Sequence, residues 1–240
     1  MGVLEGRLAL VTGASRGIGA AVAKRFAKEG AHVIAIARSS GGLEALDDAI
    51  RTETGKSATL VPLDLTNHAQ IDELGGVIAE RYGKLDIFVG NAAILGTLGP
   101  LGHIKPAIWE QVMKVNVNAN WRFIRSLDPL LRASDAGRAM FVTSSVAKSA
   151  RAYWGAYATS KAALEMLVNI YAAETEKTNL RVNLVDPGVV RTSMRKEAFP
   201  GEDASQHPIP DVMTDVFVEL ASPGCTARGE RKHATPVYEV

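Results

Sequence analysis

Six short apolar runs rich in β-branched residues, each separated from the next by a stretch with helical spacing, restrict this chain to a parallel α/β arrangement. Strands that are apolar on both faces must be covered by helices on both sides. The runs lie at Leu8 to Thr12, His32 to Ala37, Ala58 to Leu63, Leu85 to Gly90, Ala139 to Thr143 and Arg181 to Val185. Helical patterns fill Gly17 to Glu29, Leu43 to Thr54, Ala69 to Tyr82, Pro106 to Leu131 and Ala156 to Lys177. Such alternation requires right-handed crossovers and predicts a doubly wound parallel sheet in three layers, α/β/α. A chain of 240 residues can bury one large core, and no linker divides it, so a single domain over 1–240 is expected. A weaker apolar stretch, Pro236 to Val240, offers a seventh strand.

The charge balance is close to even, with 27 Lys and Arg against 26 Asp and Glu and a formal net charge of +1. No basic stripe is present, which argues against nucleic acid or a membrane surface as partner and for a small molecule. One cysteine, Cys225, excludes an internal disulfide framework and fits a reducing compartment. The five histidines are scattered, with no HxxxH or Cys/His pairing, so no metal site is expected. Glu5 and Arg7 lead directly into the first strand, leaving no room for a signal peptide, and no apolar run approaches ~20 residues. A cytoplasmic protein is expected.

In sheets of this kind ligands bind beyond the C-terminal ends of the strands, near the point where strand order reverses. The polar, Gly and Pro residues of this chain collect there: Thr12-Gly13-Ala14-Ser15-Arg16-Gly17-Ile18-Gly19 after strand one, Arg38 after strand two and Asp64 after strand three. Asn91 follows strand four, Ser144 and Ser145 strand five, and Pro187 and Gly188 strand six. Gly13 permits a tight turn, Gly17 a close approach of backbone to phosphate, and Gly19 close packing of helix on strand, so backbone N–H groups at a helix N-terminus can hold a pyrophosphate. Downstream, Tyr157-Ala158-Thr159-Ser160-Lys161 stacks a phenol and an ammonium one helical turn apart. A nearby cation favours the phenolate, so Lys161 is expected to lower the Tyr157 pKa and make it a proton donor and acceptor near neutral pH.

Together the two patterns resemble the short-chain dehydrogenase/reductase family over roughly residues 5 to 225, which implies a Rossmann-type fold and a nicotinamide cofactor. By that resemblance Gly13, Ser15, Arg16, Gly17, Ile18 and Gly19 carry the pyrophosphate side. Asp64 and Leu65 contact the adenine, and Asn91-Ala92-Ala93 the adenine and ribose side. Ala93 stands where the family usually has Gly. Pro187, Gly188, Val190 and Thr192 belong to a loop resembling the one that holds the nicotinamide amide, Val190 through its backbone and Thr192 through its hydroxyl. Tyr157 is the family's proton donor, Lys161 holds the nicotinamide ribose, a serine polarises the carbonyl, and Asn116 matches the asparagine that orders a proton-passing water; Asn118 is the weaker match. The end of strand two reads Ala37-Arg38-Ser39-Ser40, without the acid that binds a ribose 2′-hydroxyl. Arg38 and Arg16 are then placed for a 2′-phosphate, which favours NADP(H) over NAD(H), while a merely solvated Arg38 is the plainer alternative.

Two serines compete for the catalytic role. A step of thirteen residues back from Tyr157 reaches Ser144, whereas the Ser-Ser-Val-Ala pattern matches the family when Ser145 is catalytic. The motif favours Ser145, with Ser144 bonding backbone at the strand end. A short lid is expected at about 193–211, broken by Pro200, Gly201, Pro208 and Pro210, and Trp154, Tyr153, Leu95, Met194 and Phe199 are candidate pocket lining. Excess apolar residues on the 106–131 and 156–177 helices predict a homodimer or homotetramer through both. The tail from Ala221 departs from the family pattern with Arg228-Gly229-Glu230-Arg231-Lys232-His233. The reading is an NADP-dependent oxidoreductase acting on a ketone, an aldehyde or the matching alcohol. A non-catalytic NADP-binding regulatory protein is the alternative, and an epimerase or dehydratase a third that usually needs a longer chain and differently spaced glycines.

Overall fold

In the computed structural model, which describes residues 2–234, the chain lays down β1 (Leu8–Thr12), α1 (Gly17–Lys28), β2 (His32–Ala37), α2 (Ser40–Thr54), β3 (Thr59–Pro62), α3 (His68–Tyr82) and β4 (Ile87–Gly90). The second half follows with α4 (Pro106–Met113), α5 (Ala119–Ala133), β5 (Arg138–Val142), α6 (Gly155–Glu174), β6 (Arg181–Asp186), α7 (Ser193–Ala198), α8 (Asp215–Ala221) and β7 (Arg231–His233). The strands pair in the order β3-β2-β1-β4-β5-β6-β7, parallel throughout. Order reverses between β1 and β4, and the loops after those two strands open a crevice there. The doubly wound Rossmann-type sheet expected from the alternation is the one observed.

Each face of the sheet has its own apolar layer, as a strand buried on both sides requires. Leu10, Ile34, Phe88 and Phe141 meet Ile71, Phe123, Leu127 and Leu164 from α3, α5 and α6. Val11, Val33, Ala35 and Val89 meet Val22, Phe26, Leu43 and Phe217 from α1, α2 and α8. Covering ~100 Å² of apolar side chain is worth ~2.5 kcal/mol, so these two layers dominate folding. The seventh strand is Arg231–His233; the stretch Pro236 to Val240, proposed from sequence, lies outside the described residues.

The single helix expected over Pro106 to Leu131 is divided. Between α4 and α5, residues Lys114–Asn118 form a π-helical segment, the wider i→i+5 turn that often marks functional positions. It buries Asn116 and, one turn on, Asn120, while Asn118 stays exposed. Val112, Val115 and Phe123 turn into the core, leaving Trp121 as the exposed large apolar residue of the 106–131 span. The excess apolar surface predicted there is therefore smaller than the sequence suggested. On α6, Leu164 and Val168 are buried, and Met166 and Ile170 are exposed. No helix among the described residues is long and apolar enough to cross a membrane.

Candidate active site

A cavity of about 1080 Å³ runs along the C-terminal edge of the sheet. Gly13, Ser15, Arg16, Gly17, Ile18, Arg38, Asp64, Leu65, Asn91, Ala92, Ala93, Ser144, Ser145, Tyr157, Lys161, Pro187, Gly188, Val190 and Thr192 all line it. Of the sequence-predicted residues, Gly19 and Asn116 stand just behind this wall, in supporting positions.

Gly13 and Gly17 have φ of +67° and +58°, the left-handed region that favours glycine. A Cβ on Gly19 would lie 2.3 Å from the Gly13 carbonyl oxygen and 2.5 Å from Asn91 Nδ2, so only glycine lets α1 press this close to β1 and β4. Thr12, missed from sequence, ties the loops together. Its hydroxyl accepts from the Asn91 and Ala92 N–H groups, both at 3.0 Å, and Asn91 Nδ2 donates to the Thr12 carbonyl at 2.9 Å. The N-terminus of α1 carries no side-chain cap, in contrast to α2 and α3, which Ser39 and Asn67 cap. Open N–H donors at a helix start beside two left-handed glycines are able to hold an anionic group such as a pyrophosphate. At the far end Arg16 and Arg38 are exposed and form no ion pair among the described residues. Asp64 is held below the usual carboxylate range, first by the Thr66 N–H and hydroxyl, with a smaller contribution from the Arg38 charge. A nicotinamide dinucleotide with a 2′-phosphate fits this donor set.

The catalytic half differs from expectation in three ways. First, the serine that faces Tyr157 is Ser144, whose hydroxyl acts on the phenol to favour its charged form, whereas Ser145 is exposed at the start of a 3-10 turn. Ser144 is still extended, at φ −160°, and continues the line of β5 toward the phenol, while the chain turns away at Ser145. The thirteen-residue step leads to the serine beside the phenol, and the Ser-Ser-Val-Ala match to its exposed neighbour. Second, Lys161 does not lower the phenol in the free chain. Burial pushes Tyr157 up to about 12, the Asp186 charge adds to this, and the Ser144 hydroxyl only partly offsets it. The Lys161 ammonium lies 5.7 Å from the centroid of the tyrosine ring and donates to the Val142 carbonyl at 2.7 Å. Third, Tyr153 is turned outward at 62 % exposure and lines nothing, while Trp154, Leu95 and Met194 pack with Val146 beside Tyr157.

Asn116 holds structure together around these groups. Its Oδ1 accepts from the Ile94 N–H at 2.9 Å, and its Nδ2 donates to the Ile94 carbonyl at 3.0 Å and to Ser160 Oγ at 2.9 Å. It thereby fastens the loop after β4 to α6, one residue from Lys161. Thr192 caps α7, its hydroxyl accepting from the Arg195 N–H at 3.1 Å, and Gly188 N–H donates to Asp186 at 3.0 Å.

Arg231, in the tail that departs from the family pattern, reaches back to this site. It donates to the Ser144 carbonyl at 3.0 Å and to Asp186 at 2.7 Å, and pairs with Glu165 at 3.1 Å, which also accepts from the Thr143 hydroxyl at 2.7 Å. Sequence reasoning missed Arg231, Asp186 and Glu165. The available signal was Glu165, an acid one turn beyond Lys161 on an apolar helix, which needs a buried cation to face. Among the described residues no group of three or more His, Cys, Asp or Glu side chains is placed to hold a metal.

The comparisons with known proteins agree with this geometry. A family model described as short chain dehydrogenase matches residues 7–203. The uncharacterized oxidoreductase YciK of Escherichia coli K12 is 42% identical over 214 residues, covering 88% of this chain and 84% of its own. The crystal structure of a short chain dehydrogenase from Salmonella enterica serovar Typhi superposes with a TM-score of 0.94 at 39% identity, covering 98% of each chain. A protein of Escherichia coli CFT073, described as a short chain dehydrogenase and complexed with NADPH, gives 0.94 at 38% identity with the same coverage.

Burial brings Lys161 down to about 8, against the opposing pull of Asp186 and Glu165. A lysine whose folded pKa lies below its unfolded value, ~10.4, destabilises the fold fully below pH 8, and the penalty fades as pH rises toward 10. Relative to Lys161→Met, the wild-type protein should therefore gain stability as pH rises from 8 to 10. Thermal midpoints of both proteins measured across that range check it; a difference between them that does not change with pH contradicts the lowered lysine.

Proposed function

The chain belongs to the short-chain dehydrogenase/reductase family of oxidoreductases, and from that premise we propose that it uses NADP(H) to reduce a ketone or aldehyde, or to oxidise the matching alcohol. The observation that carries this reading is the meeting of Ser144 and Tyr157 in the same cavity as the uncapped, glycine-turned start of α1. When bound, the nicotinamide supplies the hydride that goes to the carbonyl carbon. The chain's own residues manage the oxygen. Tyr157, protonated at neutral pH as an ordinary phenol is and held so more firmly by burial, donates the proton to the carbonyl oxygen. Ser144 gives a second hydrogen bond to that oxygen, stronger as negative charge builds on it. Lys161, lowered to about 8 by burial, would hold the nicotinamide ribose and can give up a proton near working pH.

Gly13, Ser15, Arg16, Gly17 and Ile18 would hold the pyrophosphate side, with Gly19 and Asn116 supporting the loops. Arg16 and Arg38 would meet the 2′-phosphate, Asp64, Leu65 and Asn91 to Ala93 the adenosine, and Pro187, Gly188, Val190 and Thr192 the nicotinamide amide. The NADPH complex of the Escherichia coli CFT073 protein supports the cofactor preference. The apolar side chains exposed on α5 and α6, Trp121, Met166 and Ile170, support a homodimer or homotetramer. A single cysteine and the lack of any membrane-spanning helix among the described residues fit a cytoplasmic enzyme.

A turnover screen with NADPH against ketones, aldehydes, quinones, steroids and 3-oxoacyl thioesters tests the activity. Once a substrate is found, Ser144→Ala should lower kcat on the order of 10²-fold with little change in NADPH affinity. Ser145→Ala should stay within a few-fold of wild type, and the reverse pattern would show that the motif match identifies the serine. Arg38→Asp should weaken NADPH by ~2 kcal/mol or more and narrow its gap to NADH, read by equilibrium titration of both cofactors. Equal binding of NADH and NADPH by the wild-type protein would contradict the argument from strand two.

A further inference from the structure

The substrate side of the cavity holds a cation for which the carbonyl chemistry has no use. Its wall is apolar around Tyr157, made by Leu95, Val146, Trp154 and Met194. Trp154 lies 6.0 Å from the Tyr157 ring and 5.8 Å from Phe199, so the aromatic rings form a row leading outward from the phenol. Arg151 lines the same cavity, its guanidinium 5.1 Å from the Trp154 centroid and 5.1 Å from that of Phe199.

Among the described residues the Arg151 guanidinium makes no hydrogen bond and no ion pair. Its five N–H donors are therefore open, while the two rings limit the rotamer freedom that a free arginine would lose on binding. The other arginine on this wall, Arg195, is already forked onto Glu202 and stacked at 3.8 Å over Phe199. The two acids that line the cavity lie elsewhere: Asp64 beside Arg38 and Asp186 on Arg231. The substrate half thus carries an uncompensated positive charge against low-dielectric walls, which attracts an anion.

Backbone geometry keeps Arg151 and Trp154 together. Tyr153 is the one non-glycine among the described residues with positive φ, at +72°, and its carbonyl accepts from the Gly99 N–H at 2.9 Å. Trp154 N–H donates to the Arg151 carbonyl at 3.3 Å. The left-handed turn sends Tyr153 out and Trp154 in, a strained conformation of the kind concentrated at ligand sites.

We propose that Arg151 binds a carboxylate of the substrate, so that the compounds reduced are apolar carbonyl compounds carrying a carboxylate about one ring's span from the C=O. The inference rests on the carbonyl-reductase reading for the end of the substrate that meets Tyr157. Planar guanidinium and planar carboxylate match as a two-bonded fork, which favours an acid over a neutral polar group of the same shape.

The test uses two probes of nearly equal shape, 4-acetylbenzoate and 4-acetylbenzamide. Calorimetric Kd is measured on the NADP⁺-loaded protein, and kcat and KM with NADPH. The acid should bind ~10-fold more tightly than the amide in low salt, with its advantage in KM rather than kcat, and the margin should shrink in 0.5 M salt as the rim cation is screened, on the order expected for exposed charges. Arg151→Gln should bring the acid-to-amide ratio near one, Arg151→Glu should invert it, and Arg151→Lys should keep part of it; thermal midpoints check that each variant folds. Failure of the wild-type protein to prefer the acid, or a preference retained in Arg151→Gln, overturns the inference. NADPH oxidation without acid preference overturns it alone and leaves the reductase reading standing. Acid preference lost in Arg151→Gln, without NADPH oxidation by any carbonyl in the wider screen, upholds the anion site and counts against the reductase.

Discussion

Burying the Lys161 ammonium at the end of β5 is the constraint around which the rest of the site is arranged. Lys161 is 2 % exposed, and among the described residues its one hydrogen bond goes to Val142, the last residue of β5. An isolated ammonium there would lose its proton, so opposite charge must be built nearby. Asp186 and Glu165 provide it, and two buried carboxylates in turn require Arg231, which touches both. The result is a balanced cluster of two cations and two anions, with Arg231 also gripping the Ser144 carbonyl. A lysine held near 8 and a tyrosine held near 12 are products of one environment: low dielectric disfavours charge on either. The fold tolerates this strain because the two apolar layers of the sheet carry its stability.

The parallel sheet decides where that cluster meets the cofactor side. Each strand ends at the same edge, so residues far apart in sequence converge there without any one loop being long. Thr12 and Asn91 knit the first and fourth loops at the reversal point, and Asn116 ties the fourth loop to α6. The glycine-turned phosphate cradle and the Tyr157 helix are therefore held in register through a short chain of buried hydrogen bonds. That rigidity suits the proposed reaction, whose rate depends on holding a carbonyl at fixed distance from two partners.

Most of the fold was legible because apolar periodicity and glycine placement are local signals. The first six strands and the first three helices were found to within a few residues, and the cavity gathers the cofactor and catalytic residues named from sequence except Gly19 and Asn116, which support its wall, and the weaker match Asn118. What was not legible depended on tertiary contact. Ser144 and Ser145 are adjacent, and only the direction of the chain after β5 determines which reaches Tyr157. The effect of Lys161 on Tyr157 was misjudged because spacing along a helix reveals proximity but not the dielectric or the competing Val142 carbonyl. Tyr153 was expected in the pocket, and a left-handed turn sends it outward. The π-helical turn at Asn116 and the reach of Arg231 across the sheet leave no periodic trace in sequence at all.

In the proposed reaction the buried phenol of Tyr157 delivers the proton, while cofactor binding rests mainly on other residues. Replacing it with phenylalanine keeps the ring and removes only the hydroxyl. Tyr157→Phe should lose turnover by at least ~10²-fold while NADPH binds within a few-fold of the wild-type affinity. Turnover retained near the wild-type rate in a folded, NADPH-binding Tyr157→Phe protein would contradict it.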